Sequence, residues 1–238
     1  MQYLKARFPC LIFLVFASAC STIDYSRDWK LEWEADMSGE RDDWHLTHGT
    51  FRNNLSGFHP RNVEFLDSLL ALNLNYVPDA DTPVSGAEIR TAKAYPYGLI
   101  EVRMKAAKGS GLISSFFTLK DPARPGNEID VEIMGKNTYS VLTNYWDASG
   151  RQYPKTRNTG FDASEGFHHY AIAWAPGKIT WYIDGKRIRT ARKNIPEPGH
   201  LILFNLWMSA NHEWAGHPDR SALPARAFYK DLKFYLPK

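Results

Sequence analysis

The stretch Glu128-Ile129-Asp130-Val131-Glu132 constrains this chain more than any other. Acidic residues alternate with β-branched apolar ones, the two-residue period of an extended strand whose successive side chains project to opposite faces. Ile129 and Val131 then point into a core, and Glu128, Asp130 and Glu132 line the other face. Three like charges in a row repel one another, and folding alone does not ask for them.

The rest of the chain keeps the same period. Alternating runs occupy residues 69–75, 100–105, 141–145, 169–174 and 179–183. Asp184-Gly185, between Trp181-Tyr182-Ile183 and Lys186-Arg187-Ile188, predicts a tight hairpin, and Pro176-Gly177 a second turn. Long helical periodicity is absent. Many short strands joined by turns predict an all-β fold, a sandwich or jelly roll. With 238 residues, 44% of them hydrophobic, the chain can bury one substantial core, and residues 29–238 read as a single domain. Trp174 and Trp181 read as part of that core.

An acidic strand face has two readings. One is an exposed sheet edge on which charge discourages aggregation. The other is chemistry that needs one ionised and one protonated carboxyl side by side, as cleavage of a glycosidic bond does. Retaining glycosidases hold the two carboxyls about 5–5.5 Å apart, whereas the Cα atoms of Glu128 and Glu132 in a regular strand lie about 13 Å apart. Side chains leaning inward on a twisted sheet can close that gap. Asp130 between them pushes the neighbours' pKa values apart. Glu128 is read as nucleophile, Glu132 as general acid/base and Asp130 as the group that tunes them. Glycine- and proline-containing loops bracket the strand, at Asp121-Pro122-Ala123-Arg124-Pro125-Gly126 and at Gly135. The same alternation places Glu88 with Arg90, Asn144 with Trp146, and Asn205 with Trp207. Such pairs suit sugars, since rings stack on pyranose faces while amides and charges bond hydroxyls. The competing reading is core packing for Phe117 and Trp207 and a surface ion pair for Glu88 with Arg90.

Asn127-Glu128-Ile129-Asp130-Val131-Glu132-Ile133-Met134-Gly135-Lys136-Asn137 resembles the catalytic strand of glycoside hydrolase family 16, above all its licheninase (β-1,3-1,4-glucanase) branch, and is similar to succinoglycan-type exopolysaccharide depolymerases. Gly98-Leu99-Ile100-Glu101-Val102-Arg103-Met104-Lys105, Ser114-Ser115-Phe116-Phe117-Thr118, Gly160-Phe161-Asp162-Ala163, Trp181-Tyr182-Ile183-Asp184-Gly185 and Asn205-Leu206-Trp207 resemble licheninase segments in the same order. The resemblance implies two curved antiparallel sheets, the concave one forming an open glycan cleft. It implies a retaining endo-β-glucanase with substrate contacts at Glu88, Arg90, Phe117, Asn144, Trp146, Asn205 and Trp207. It also implies that no cofactor is required, although Asp231 matches a residue that in relatives binds a structural calcium on the convex side. The uninterrupted E-x-D-x-E, without the extra residue of laminarinase- and agarase-like branches, favours the licheninase side. Three departures stand out. Gly126 replaces the usual Trp before the nucleophile, Leu119 replaces a Tyr, and a cysteine pair often bridged near the cleft is missing. An exopolysaccharide depolymerase or transglycosylase would use the same carboxyls and differ in its acceptor. A non-catalytic glycan-binding module would need the platform but not the acid/base pair, and all three carboxylates are present.

The N-terminus reads as a secretory leader, residues 1–19: Lys5 and Arg7, an apolar run over 11–16, then Ala17-Ser18-Ala19. Cys20 follows. With Cys10 inside the leader, it has no intramolecular partner and resembles a lipobox cysteine, although Ala17 stands where Leu is usual. Lipidation at Cys20 is expected, with cleavage after Ala19 as the rival. Ser21 in second place resembles outer-membrane sorting. Residues 20–28 read as a tether. The expected location is outside the cytoplasm of a bacterium, as an outer-membrane lipoprotein or otherwise secreted or periplasmic. Losing Lys5 and Arg7 lowers the net charge from +3 to +1, too little for a nucleic-acid partner. The basic run Lys186 to Lys193 reads as a solvated strand and loop, with an anionic glycan or membrane surface as the sharper alternative. The eight histidines show no metal-type spacing, and His168 and His169 read as structural. The expected partners are a β-glucan or exopolysaccharide and, through the lipid alone, a membrane; the expected state is a monomer.

Overall fold

The computed structural model describes residues 22–35, 37, 43–78, 80–124 and 126–238; the leader and Cys20 lie outside them. Sixteen strands carry the fold: β1 (Trp29–Glu34), β2 (Trp44–Leu46), β3 (Ser56–Phe58), β4 (Val63–Leu66), β5 (Leu69–Tyr76), β6 (Val84–Thr91), β7 (Gly98–Lys105), β8 (Leu112–Leu119), β9 (Glu128–Met134), β10 (Ser140–Trp146), β11 (Lys155–Asn158), β12 (His168–Ala175), β13 (Lys178–Ile183), β14 (Lys186–Ala191), β15 (Leu201–Met208) and β16 (Ala225–Pro237). Among the described residues, helix is confined to α1 (Tyr25–Asp28), α2 (His212–Ala215) and short 3-10 turns such as Pro60–Asn62 and Arg220–Ala222. The all-β expectation holds, and the alternating runs fall on β5, β7, β10, β12 and β13.

The strands form one hydrogen-bonded path, β11-β10-β9-β8-β15-β6-β5-β16-β7-β12-β13-β14. It folds over itself between β6 and β5, which pair only at Asn75↔Ser85 and Tyr76↔Val84. The first six strands of the path make the layer that carries the acidic triplet, and the last six make the backing layer. Pairing is antiparallel apart from β3 on β6. Between the layers lies the core: Ile129, Val131 and Ile133 of β9 meet Trp174 and Trp181 of the backing layer, all at 2% exposure or less. The period-2 reading of β9 is therefore met, with its apolar residues inward and its acids on the outer face.

The turn chemistry follows the sequence. Asp184 and Gly185 both take positive φ (47° and 74°), as a type I′ hairpin turn requires. Register slips by one residue further along that hairpin, between Trp181 and Tyr182. The N-terminal residues depart from the expected polar tether. From Ile23 onward they lie on the backing layer, where Leu99, Ala171 and Ala173 make a shallow apolar floor for Ile23, Tyr25 and Trp29. Tyr25 Oη donates to Glu101, as does Tyr235 Oη at 2.8 Å. Alanine at two floor positions leaves room for those rings.

Candidate active site

Strand pairing on the outer face of the β9 layer arranges side chains in transverse rows, because directly opposed residues point to the same side. One row runs Glu88, Asn205, Ser115, Glu132. The next, two residues along, runs His45, Arg90, Leu203, Phe117, Asp130, Asn144. A third runs Leu201, Leu119, Glu128, Trp146. Five strands, β6, β8, β9, β10 and β15, thus bring nine of the ten sequence-predicted catalytic and sugar-contacting residues into three adjacent rows. The tenth, Trp207, lies one row beyond Asn205.

Hydrogen bonds fix the rows. Asn205 Nδ2 donates to Glu88 at 3.1 Å and Thr47 Oγ1 donates to it at 3.0 Å. Arg90 acts on Glu88 as a nearby charge and not as a direct ion pair. Asn144, the register partner of Asp130, favours its charged form and accepts from the Tyr153 N–H at 3.0 Å. From below, the Trp181 indole donates to the Asp130 carbonyl at 3.1 Å. Two buried acceptors in the first row, Ser115 Oγ and Asn205 Oδ1, have no hydrogen-bond partner. Ser115 Oγ is near enough to Glu132 to favour its charged form without a normal bond to it.

Dehydration dominates the electrostatics. Burial is the leading cause that raises Glu128, Asp130 and Glu132 alike, and a neighbouring carboxylate follows in each case: Asp130 on Glu128, Glu132 on Asp130, Glu128 on Glu132. Glu132 is pushed up to about 8 and is protonated at neutral pH. Glu128 and Asp130 both stand well above the usual carboxylate range, each raised first by burial and then by a neighbouring carboxylate. Yet Glu128 and Glu132 keep part of their surface exposed, while Asp130 is 3% exposed. Carboxyls that solvent can reach and that are nonetheless dehydrated lie on the floor of a groove.

The two ends of that floor differ. Toward Glu128 lie Leu119, Leu201 and Trp146, each part-buried. Gly126 takes φ +95°, and a Cβ there would sit 2.6 Å from the Asp147 carbonyl, so a side chain is excluded by the backbone itself. Toward Glu132 an aromatic cluster closes the floor. Trp207 is 7% exposed, like Phe117, because Phe51 packs edge-on against it at 4.9 Å and Trp214 lies 6.0 Å away. Phe51 is itself 44% exposed. Sequence reading missed Phe51 and Thr47, which sit on an irregular segment with no period to betray them. Trp214 packs on the Trp207 side.

Other predicted residues fall elsewhere. His169 Nε2 meets Glu101 at 3.0 Å and His168 Nδ1 meets Asp184 at 2.9 Å, both structural pairings. Lys186, Arg187, Arg192 and Lys193 are exposed as expected, but Arg189 is not: it turns inward beneath the site. Asp231 lies on the backing layer at a bulge, with φ +54° and its carboxylate 3.5 Å from Arg103. That setting does not fit a calcium ion, since a guanidinium already faces the carboxylate. Among the described residues no group of three or more His, Cys, Asp or Glu could hold a metal.

Known proteins share these features. The family described as "Glycosyl hydrolases family 16" matches residues 52–222. A beta-glucanase of Acetivibrio thermocellus is 34% identical over 98% of this chain, which spans 66% of that relative's length. A beta-glucanase of Paenibacillus macerans is 37% identical over 85% of this chain and 86% of its own. The crystal structure of a prokaryotic β-1,3-1,4-glucanase (lichenase) derived from a mouse hindgut metagenome superimposes with a TM-score of 0.79 at 33% identity, covering 87% of this chain and 99% of that one. The family match takes in every residue of the three rows except His45 and leaves out Thr47 and Phe51 beside them, and this chain belongs to glycosyl hydrolases family 16.

Proposed function

We propose that the protein is a retaining endo-β-glucanase that hydrolyses β-1,3-1,4-glucan or a closely related β-linked polysaccharide. The observation that carries the reading is the row of three part-dehydrated carboxyls on one strand face, with Glu132 holding a proton at neutral pH. The names of the relatives support the substrate class. In the first step Glu132 gives its proton to the glycosidic oxygen as that bond breaks, and Glu128 attacks the anomeric carbon to form a glycosyl ester. Glu128 is competent as nucleophile in its ionised form. In the second step Glu132 takes a proton from water, whose oxygen displaces Glu128 from the sugar. Every proton and electron pair moves through chain carboxyls, substrate and water, so the chemistry calls on no cofactor. A structural calcium at Asp231 would have to displace Arg103 from its carboxylate.

The leader-like residues 1–19 and Cys20 support export with lipidation at Cys20, giving a monomeric outer-membrane lipoprotein, or a secreted or periplasmic enzyme if cleavage follows Ala19. The thin wall at Gly126 and Leu119 favours one second reading, remodelling of an exopolysaccharide with transfer to a sugar acceptor. Reducing-sugar release from barley glucan, lichenan, laminarin, xyloglucan and succinoglycan, with and without oligosaccharide acceptors, separates the two. The expected leading activity is on barley glucan and lichenan. Glu128→Gln should lower kcat at least about 10³-fold while leaving the fold intact; a folded variant that keeps its turnover refutes the assignment.

A further inference from the structure

We propose that Arg189 is a positioning residue for the catalytic strand: its guanidinium, clamped between the β10–β11 hairpin and the Trp181 indole, braces the strand beside Asp130 from below and supplies the positive charge that faces the carboxyls from the backing layer. The role within catalysis rests on the glycosidase reading above; the placement does not.

Arg189 and Trp181 are register partners on β14 and β13, so both side chains point into the space between the layers. Arg189 Nη1 donates to the Thr143 carbonyl at 2.6 Å and to Thr143 Oγ1 at 3.1 Å, and Nη2 donates to the Tyr153 carbonyl at 2.6 Å. The guanidinium carbon lies 4.6 Å from the Trp181 ring centre and 5.4 Å from that of Tyr145. One planar cation therefore spans β10 and the chain leading into β11 and stacks on the indole whose N–H holds the Asp130 carbonyl. Thr143 is opposite Val131 on β9, and Asn144, opposite Asp130, favours its charged form. A lysine could supply charge at this spot but could not satisfy two carbonyls and stack in one geometry.

Charged and titratable groups around the pair come from every packed element. Asp130 faces Glu128 and Glu132 on its own strand, Asn144 on β10 and Arg189 from the backing layer. Glu88 acts on Glu128 from β6. Arg189 faces Tyr145, Asp130 and Arg157. The cation favours ionised Asp130, against burial and Glu132.

The test is a 13C NMR titration of the Asp130 carboxyl in protein carrying labelled aspartate, with Asp130→Asn assigning the signal. Arg189→Met should raise the Asp130 midpoint by about one pH unit. Arg189→Lys, which keeps the charge, should leave it within a few tenths of a unit while losing thermal stability. An unmoved midpoint in folded Arg189→Met overturns the proposal, and so does an Arg189→Lys variant that melts like wild type, which decides alone should the Met variant not fold. This readout needs no turnover, so failure of the glycosidase reading, seen as hydrolysis that Glu128→Gln does not remove, remains a separate result. In the active enzyme the acidic limb of kcat/KM should follow the titration, making Arg189→Met about tenfold slower than wild type below that limb, with KM little changed.

Discussion

Glu132 carries opposite demands from folding and from catalysis. Its carboxyl is raised to about 8 by burial first and by the Glu128 charge second, so the native state binds this proton more tightly than the unfolded chain, whose Glu titrates near about 4.3. Stability from that proton is fully present below the unfolded value and is lost as pH rises through about 8. Glu132→Gln removes the titration while keeping size and shape. The variant should lose acid catalysis yet melt a few degrees above wild type at pH 9, with little difference at pH 5. Calorimetry at both pH values checks this, and an equal difference at both would remove the burial argument. The same group sets the alkaline limb of kcat/KM near 8. The triplet was legible because period-2 alternation is local and needs no knowledge of neighbours. Arg189 was not legible: its partners Thr143 and Tyr153 lie 46 and 36 residues earlier, and nothing in a run of basic residues marks the one that turns inward.

At the scale of elements, strand position was readable and groove shape was not. The Asp184-Gly185 hairpin announced itself through residues that tolerate positive φ. The segment before β9 shows why resemblance alone cannot give the groove wall. Lys120 N–H bonds the Asn127 carbonyl at 3.0 Å, Asn127 takes φ +53°, and its N–H reaches the Asp147 carbonyl at 3.3 Å. Asp147 is fixed in turn by Ser149, the Arg151 N–H and Tyr153 Oη, bonds that hold its carboxyl down to about 2. Gly126 closes this loop on the next turn, leaving no space for the tryptophan that licheninases place there. Gly126→Trp should therefore cost about 1–3 kcal/mol of stability and should not lower KM for glucan. Urea unfolding together with glucan kinetics tests both, and a stable variant with tighter substrate binding would show that the loop can be rebuilt.

Across the whole molecule, side chains of the backing layer reach through the core to backbone carbonyls directly beneath the groove. Trp181 bonds the Asp130 carbonyl, Arg189 bonds that of Thr143, and Tyr229 Oη lies 3.0 Å from the Ser115 carbonyl and 3.1 Å from that of Asn205. Asp130, Ser115 and Asn205 all present side chains to the groove, so the floor is tied down at its own residues. Among the described strands the layers pair along the short β5–β6 seam, which leaves these polar ties and the apolar core to set their spacing elsewhere. Tyr229 is fully buried, and Tyr229→Phe keeps its ring packing while withdrawing the one hydrogen that two buried carbonyls share. The expected loss is about 1–2 kcal/mol in urea unfolding, with kcat/KM falling only a few-fold because the other ties remain. Unchanged stability would mean that water or backbone adjustment satisfies both carbonyls, and the groove floor would then owe its placement to core packing alone.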